Sequence, residues 1–374
     1  MQNSTLRLLP RLVLSALAVG VFALAGCQPA SYSGSSAVMT AEENRPDLAD
    51  IAWLDDPRSW EGPSTAVLGP HALDPITDTA PEPALPTSVT SDDLAGDVEI
   101  TISRAERIIA VDMSGSLAQT LWGLGYGDRL VGRDISTTIP GTDDLPVVTG
   151  SGHSISIESV LDLRPDLVIT DGTVGPIDVM MQLRDAGITL VFVREPAGID
   201  QAAHQARRVA EILGHEELGI QLATHISDQI TTVRETIAAN IPGDNEKRLR
   251  MVFLYLRGAN GIYYLFGDES GAGDLIEALG GIDVAGEIGW EGLRPMTDEA
   301  LIQANPDLIL VMSGGLESVG GVDELIAKKP AIGLTTAGQH RRFVDMADSV
   351  VLGFGPRTPA VLDALARAVY APTP

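Results

Sequence analysis

Cysteine and positive charge are both scarce in this 374-residue chain, and each scarcity excludes a class of function. Cys27 is the only cysteine, so no disulfide can form within the chain. Lys and Arg total 25 against 51 Asp and Glu, a net charge of −26. Nucleic acid and anionic lipid surfaces are therefore poor partners, because both require a basic face. Long apolar runs are missing apart from one at the N-terminus, so the chain is not a membrane channel. The 6 histidines show no metal-binding spacing and no nucleophile stands with an oriented base, which argues against an enzyme.

The one apolar run has a different meaning. Arg7 and Arg11 precede a stretch from Leu12 to Ala25 that ends in Leu24-Ala25-Gly26-Cys27. Basic, apolar and small-residue sections in that order make residues 1–26 a secretory signal peptide, and the thiol at its end matches the bacterial lipobox. Acyl chains on Cys27 would anchor the mature protein at the extracellular face of the cell membrane. Over residues 27–98, prolines at 29, 46, 57, 63, 70, 75, 81, 83 and 86 interrupt any periodicity. That pattern predicts a lipid-anchored, largely extended tether, with a patch around Trp53, Trp60 and Leu68 available to dock on the folded body.

Beyond the tether the sequence reads as α/β. Residues 107–112 (RIIAVD) form a β-branched strand that runs into a small-residue loop at Met113-Ser114-Gly115-Ser116 and a helical pattern. Further strands are expected at 130–132, 167–170 and 188–193, with helices at 156–163, 177–186 and 199–213. From 216 to 241 apolar residues fall at Leu218, Leu222, Ile226, Ile230, Val233 and Ile237, one stripe on a helix of roughly 40 Å that Pro242-Gly243 ends. The same plan then returns, with strands at 250–256, 261–266 and 308–311 and helices from 273 and over 298–304. Glu158 followed by Pro165-Asp166-Leu167 matches Glu299 followed by Pro306-Asp307-Leu308, with the two prolines in register.

Two variants of one plan separated by a long helix predict an N-terminal α/β lobe (99–214), a linking helix (215–242) and a C-terminal α/β lobe (243–374). The lobes are Rossmann-like, each around a central sheet, with a ligand cleft between them beyond the strand carboxyl ends. From about Ile100 to Ala371 the chain resembles the class III substrate-binding proteins of ABC importers, the group that carries vitamin B12, iron siderophores and haem on two lobes joined by one rigid helix. The duplicated Glu…Pro-Asp-Leu segments, the RIIAVD strand and the lipobox carry that resemblance.

Within that group, residues 149–158 (TGSGHSISIE) and 253–258 (FLYLRG) resemble the two halves of the haem site of HmuT-type lipoproteins. The resemblance implies His153 from one lobe and Tyr255 from the other as axial ligands to haem iron, with Arg257 beside the phenol. The chemistry is consistent: neutral imidazole is a good iron ligand, and a phenolate is a hard anionic oxygen suited to ferric haem. Tyrosine titrates near pH 10, so ligation at neutral pH needs the metal and a cation such as Arg257, which shares a strand face with Tyr255. Taken alone, His153 reads as a solvated loop histidine and Tyr255 as a core aromatic. Met113, Tyr264, Trp290, Met296 and Phe354 are candidates to pack on a flat apolar ligand, and Arg294 and Arg357 to meet its propionates. The family resemblance further assigns Glu158 and Glu299 to docking on arginines of the membrane permease, which works with its ATPase; either glutamate would also stabilise a helix dipole. The expected function is a haem receptor for an ABC importer, with a siderophore or cobalamin receptor of the same fold as the alternative. An alternative of another class is a metal-dependent enzyme built on His153 and an acid such as Asp171.

Overall fold

The computed structural model describes residues 45–373, except Ser151, Glu195, Asn245, Glu246, residues 259–261, Asp268, Glu269 and Met296. The signal peptide and Cys27 lie outside the described residues. Among those described, no helix is long and apolar enough to cross a membrane.

The segment expected to be an extended tether is, from Arg45 onward, a strap laid across the folded body. Its prolines do prevent an internal core, as the sequence implies, but its backbone groups find partners on the body instead. Leu54 N donates to Tyr370 O at 2.8 Å, Gly62 N to His340 O at 2.9 Å, Ile76 N to Gly123 O at 2.9 Å and Ala84 N to Leu213 O at 3.0 Å. A two-residue strand β1 (Ser64–Thr65) joins the sheet of the second lobe, and β2 (Thr87–Ser91) with β3 (Val98–Ile102) forms an antiparallel hairpin against the first. Leu48, Leu68, Leu73 and Val89 are buried there, Trp53 packs on Tyr370 with ring centroids 5.7 Å apart, and Arg45 pairs with Asp363.

The first lobe is a parallel sheet in the order β5-β4-β6-β7, from β4 (Ile108–Val111), β5 (Leu130–Gly132), β6 (Leu167–Thr170) and β7 (Thr189–Phe192). All four residues of β4 and of β6 are buried, as strands covered on both faces must be. The linking helix runs Glu216–Asn240 and buries Leu222, Ile226, Ile230 and Ile237 of the expected stripe. Gly219 allows the preceding helix Ala202–Ile212 to approach, since a Cβ there would stand 2.6 Å from that of Ala210.

The second lobe contains β8 (Arg250–Arg257), β9 (Ile262–Leu265), β10 (Ile282–Asp283), β11 (Arg294–Pro295), β12 (Leu308–Met312) and β13 (Phe343–Met346). Their order is β1-β13-β12-β8-β9-β11, with β10 also on β8; β9 pairs antiparallel with both β8 and β11, and the other pairs are parallel. The duplication holds in atomic detail. Ser156 and Thr297 cap the helices Ile157–Asp162 and Asp298–Ala304 by accepting from Ser159 N and Ala300 N. Each helix exits through a left-handed residue, Arg164 (φ 46°) and Asn305 (φ 40°), into Pro-Asp. Asp166 then accepts from Arg107 N at 3.1 Å and Asp307 from Arg250 N at 3.0 Å, tying each turn to the neighbouring strand.

Candidate functional site

At the carboxyl end of β4 the chain turns on Asp112. Its buried carboxylate accepts from the Ser114 hydroxyl, from Ser116 N and Oγ and from Leu117 N, which fixes the start of the helix Ser116–Gly123. Asp112 N in turn donates to Asp134, whose carboxyl is pushed up to about 7 by burial and by Asp112 itself. This rigid corner presents Met113, 44 % exposed, with its amide held by the Thr173 hydroxyl at 2.9 Å.

His153 stands in the next loop over. Gly150 N donates to Ser154 O at 2.7 Å and Gly175 N to His153 O at 3.2 Å, so the loop is pinned on both sides of the imidazole. The residue itself takes a left-handed conformation, φ 58°, uncommon outside glycine and sustained here by those contacts. His153 Nδ1 is buried without a hydrogen-bond partner among the described residues. Burial first, and then the charge of Arg257, hold the imidazole below its ordinary value of 6.5, against a weaker upward pull from Asp112. The ring is therefore neutral at neutral pH.

Arg257 belongs to the other lobe. At the end of β8 its guanidinium carbon lies 5.4 Å from the centre of the Tyr255 ring, on the same face of the strand. Burial pushes the Tyr255 phenol up, while the Arg257 charge and its hydrogen bond to the phenol pull it down and Asp348 adds a smaller upward effect. Phe266 meets Tyr255 edge-on at 5.8 Å, and Tyr264 is its direct partner across β9. Asp348 is fixed by Gly314 N at 2.8 Å; burial raises its carboxyl and Arg257 lowers it. Arg257 is thus near enough to act on His153 of the first lobe as well as on Tyr255 and Asp348 of the second.

Residues 111–350 match the model of the periplasmic binding protein family. The chain belongs to this family. A crystal structure of the heme binding protein HmuT superposes with a TM-score of 0.77 at 38 % identity, over 84 % of this chain and 99 % of that one. Solved variants of HmuT replace one Arg, one Tyr or one His by Ala, and that Tyr and Arg stand two positions apart, the spacing of Tyr255 and Arg257. The uncharacterized ABC transporter substrate-binding lipoprotein YvrC of Bacillus subtilis is 28 % identical over 76 % of this chain and 86 % of its own. The cobalamin-binding protein of Halobacterium salinarum is 27 % identical over 65 % of this chain and 64 % of its own.

In this binding protein several residues expected at the ligand are placed elsewhere. The register of β8, β9 and β11 aligns Tyr255 with Tyr264 and Pro295, but aligns Arg294 with Leu265 and Leu254 on the opposite face. Trp290 packs against that opposite face too, its Nε1 donating to Leu265 O at 3.2 Å. Phe354 is only 4 % exposed and belongs to the main core. Arg357, 3 % exposed, donates both terminal nitrogens to Thr138, to Oγ1 at 3.0 Å and to the carbonyl at 2.5 Å. It is a tie between the second lobe and a loop of the first, not a free cation. Met296 lies outside the described residues. Glu158 and Glu299 are exposed in the first turns of their helices, and neither has an ion-pair or hydrogen-bond partner among the described residues. Phe266 and Asp348 were missed. Phe266 continues the alternation of Tyr264 in β9 and was legible by period; Asp348 is distant in sequence from Tyr255 and carries no local signal.

Proposed function

We propose that this protein is a lipid-anchored surface receptor that captures ferric haem in the cleft and presents it to an ABC permease and its ATPase. His153 and Tyr255 are the axial ligands, Arg257 stabilises the phenolate, and Met113, Tyr264 and Phe266 offer apolar contact. The observation that carries this reading is that Arg257 acts electrostatically on both His153 and Tyr255 from opposite lobes. A neutral imidazole with a depressed basicity is ready to ligate without first losing a proton. A phenol pushed up by burial is not, so ligation requires ferric iron to displace the proton and a guanidinium to hold the resulting charge. The His, Tyr and Arg singled out in HmuT variants support the same set. Cys27 supplies the membrane anchor, and Glu158 and Glu299 dock the permease.

The protein acts as a binder without turnover. Asp171, the acid paired with His153 in the enzymatic alternative, already accepts from the Thr173 amide at 2.8 Å and the Thr173 hydroxyl at 2.6 Å. Titration of the protein, freed of its signal peptide, with haemin tests the assignment by absorption spectroscopy. A shifted Soret band at near-stoichiometric haemin is expected, altered and weakened in His153→Ala and in Tyr255→Ala but unchanged in His225→Ala, on the exposed side of the linking helix. Tight binding of cobalamin with no Soret shift on adding haemin would replace haem by the cargo of the Halobacterium relative.

A further inference from the structure

The two duplicated helices share more than a glutamate. Three residues after Glu158 stands Leu161, 39 % exposed, and three residues after Glu299 stands Ile302, 43 % exposed. Spacing of i and i+3 puts each aliphatic side chain on the same helix face as its glutamate. The residues between them do the structural work: Val160 and Leu301 are buried, so Leu161 and Ile302 are not needed to seal either core. Large aliphatic side chains at corresponding, exposed positions of both lobes have no packing explanation among the described residues. The second lobe has a further exposed aliphatic side chain in Leu334, 63 % exposed, which follows the helix Pro330–Gly333 that packs on Asp298–Ala304.

The position of these faces indicates what they meet. Each helix connects through Pro-Asp to the start of a strand and so runs back along it, which places its first turn at the carboxyl edge of the sheet, beside the cleft. His153 lies just upstream of the first helix, and Arg294 just upstream of the second. The carboxylates of Glu158 and Glu299 have no partner among the described residues, so each patch combines an uncommitted negative charge with an uncovered aliphatic group.

We propose that Leu161 and Ile302 are the apolar halves of two matched docking patches, each seating in a hydrophobic pocket beside a basic residue on the extracellular face of the permease. This rests on the permease-docking reading of Glu158 and Glu299 and adds to it. A charge pair at the rim of an interface contributes mainly orientation and encounter rate, whereas a desolvated aliphatic anchor holds the complex. Two anchors of the same kind at corresponding positions suit a permease made of two equivalent halves.

The test uses the host's haem permease and ATPase complex in lipid nanodiscs and measures binding of the receptor by biolayer interferometry. Leu161→Asn and Ile302→Asn should each weaken docking about tenfold, mainly through faster dissociation, and Glu158→Ala with Glu299→Ala should mainly slow association. Haemin titration of every variant should be unchanged, which separates docking from folding and cargo binding. If the glutamate variants lose binding but both Asn variants dock like the wild type, the apolar anchors are refuted while the docking face stands. If wild type and glutamate variants bind alike, or wild type does not bind, the docking reading fails and the anchors with it. A concentration-dependent dimer in light scattering, abolished by the Asn variants, would assign the patches to self-association and overturn the proposal.

Discussion

Replacing Arg257 should alter haem binding in two ways that pH can separate. The guanidinium hydrogen-bonds the Tyr255 phenol and lowers the basicity of His153 from across the cleft. Hydrogen bonds to charged groups contribute about 1.5 to 3 kcal/mol, and because Arg257 is exposed, water competes and the lower end applies. Arg257→Ala should therefore weaken haemin binding about tenfold at neutral pH and shift the phenolate-to-iron absorption band. The second effect has a definite sign. The wild-type imidazole is held below 6.5, so protons compete for it only at lower pH; removing the Arg257 charge moves its basicity up. Burial remains, so the value stays depressed, but the decline in affinity on acidification should begin at higher pH in the variant. Arg257→Lys retains the charge and loses the planar fork, so it should keep the wild-type pH profile with a lower overall affinity. Haemin titrations from about pH 5 to about pH 8, with the His153 ring followed by NMR in the cargo-free protein, measure both effects. Equal affinity and equal His153 titration in wild type and Arg257→Ala would refute the coupling across the cleft.

Three further outcomes follow from the frame around the site. Asp112→Ala leaves Ser116 N and Leu117 N of a buried helix start without their acceptor, so stability in urea should fall by about 2 kcal/mol or more. Asp134 binds a proton in the folded state up to about pH 7 that the unfolded chain releases near its ordinary 3.8, so stability should decline as pH rises through that window, and Asp134→Asn should flatten the slope. Arg357→Ala removes a tie between the lobes and leaves Thr138 O unpaired; melting temperature should drop by several degrees with cargo-free hydrogen exchange rising on both sides of the cleft, and a variant with wild-type exchange would show the tie to be dispensable.

The parts of the fold that were legible share a property: their signal is local. The stripe from Leu218 to Ile237, the buried strands β4 and β6 and the Glu…Pro-Asp repeat all depend on periodicity or turn chemistry within a few residues. In the strap only the docking of Trp53 and Leu68 was legible; the rest was not, because its hydrogen bonds go to Tyr370, His340, Gly123 and Leu213, far away in sequence, and prolines hide any period of its own. Arg357 and Phe354 failed for a related reason. A cation or aromatic in a loop at a strand end can face the ligand or face its own protein, and only the position of Thr138 decides for Arg357. For Arg294 and Trp290 the face of the sheet decides, and in short strands a one-residue shift in register reverses it.

The duplication and the site pull in opposite directions, and the strand register shows where they part. Leu167 pairs with Ile108 in the first lobe, and its counterpart Leu308 pairs with Met251 in the second. Counting along each strand, Val111 corresponds to Leu254 and Asp112 to Tyr255. In the first lobe the strand stops at that point: the Asp112 carboxylate accepts from Ser114, Ser116 and Leu117 and starts a helix. In the second lobe a phenol stands there, no cap forms, and the strand continues to Arg257 with β9 antiparallel beside it. The loops before the two duplicated helices diverge in the same way, with His153 in one and Arg294 in the other, on a sheet face turned away from Tyr255. Each lobe therefore keeps the Ser/Thr cap, the glutamate and the exposed aliphatic group that look outward, and changes the residue that looks into the cleft. A surface of matched patches can meet two equivalent halves of a permease, while unlike groups on the two walls allow a cargo to be held in one orientation.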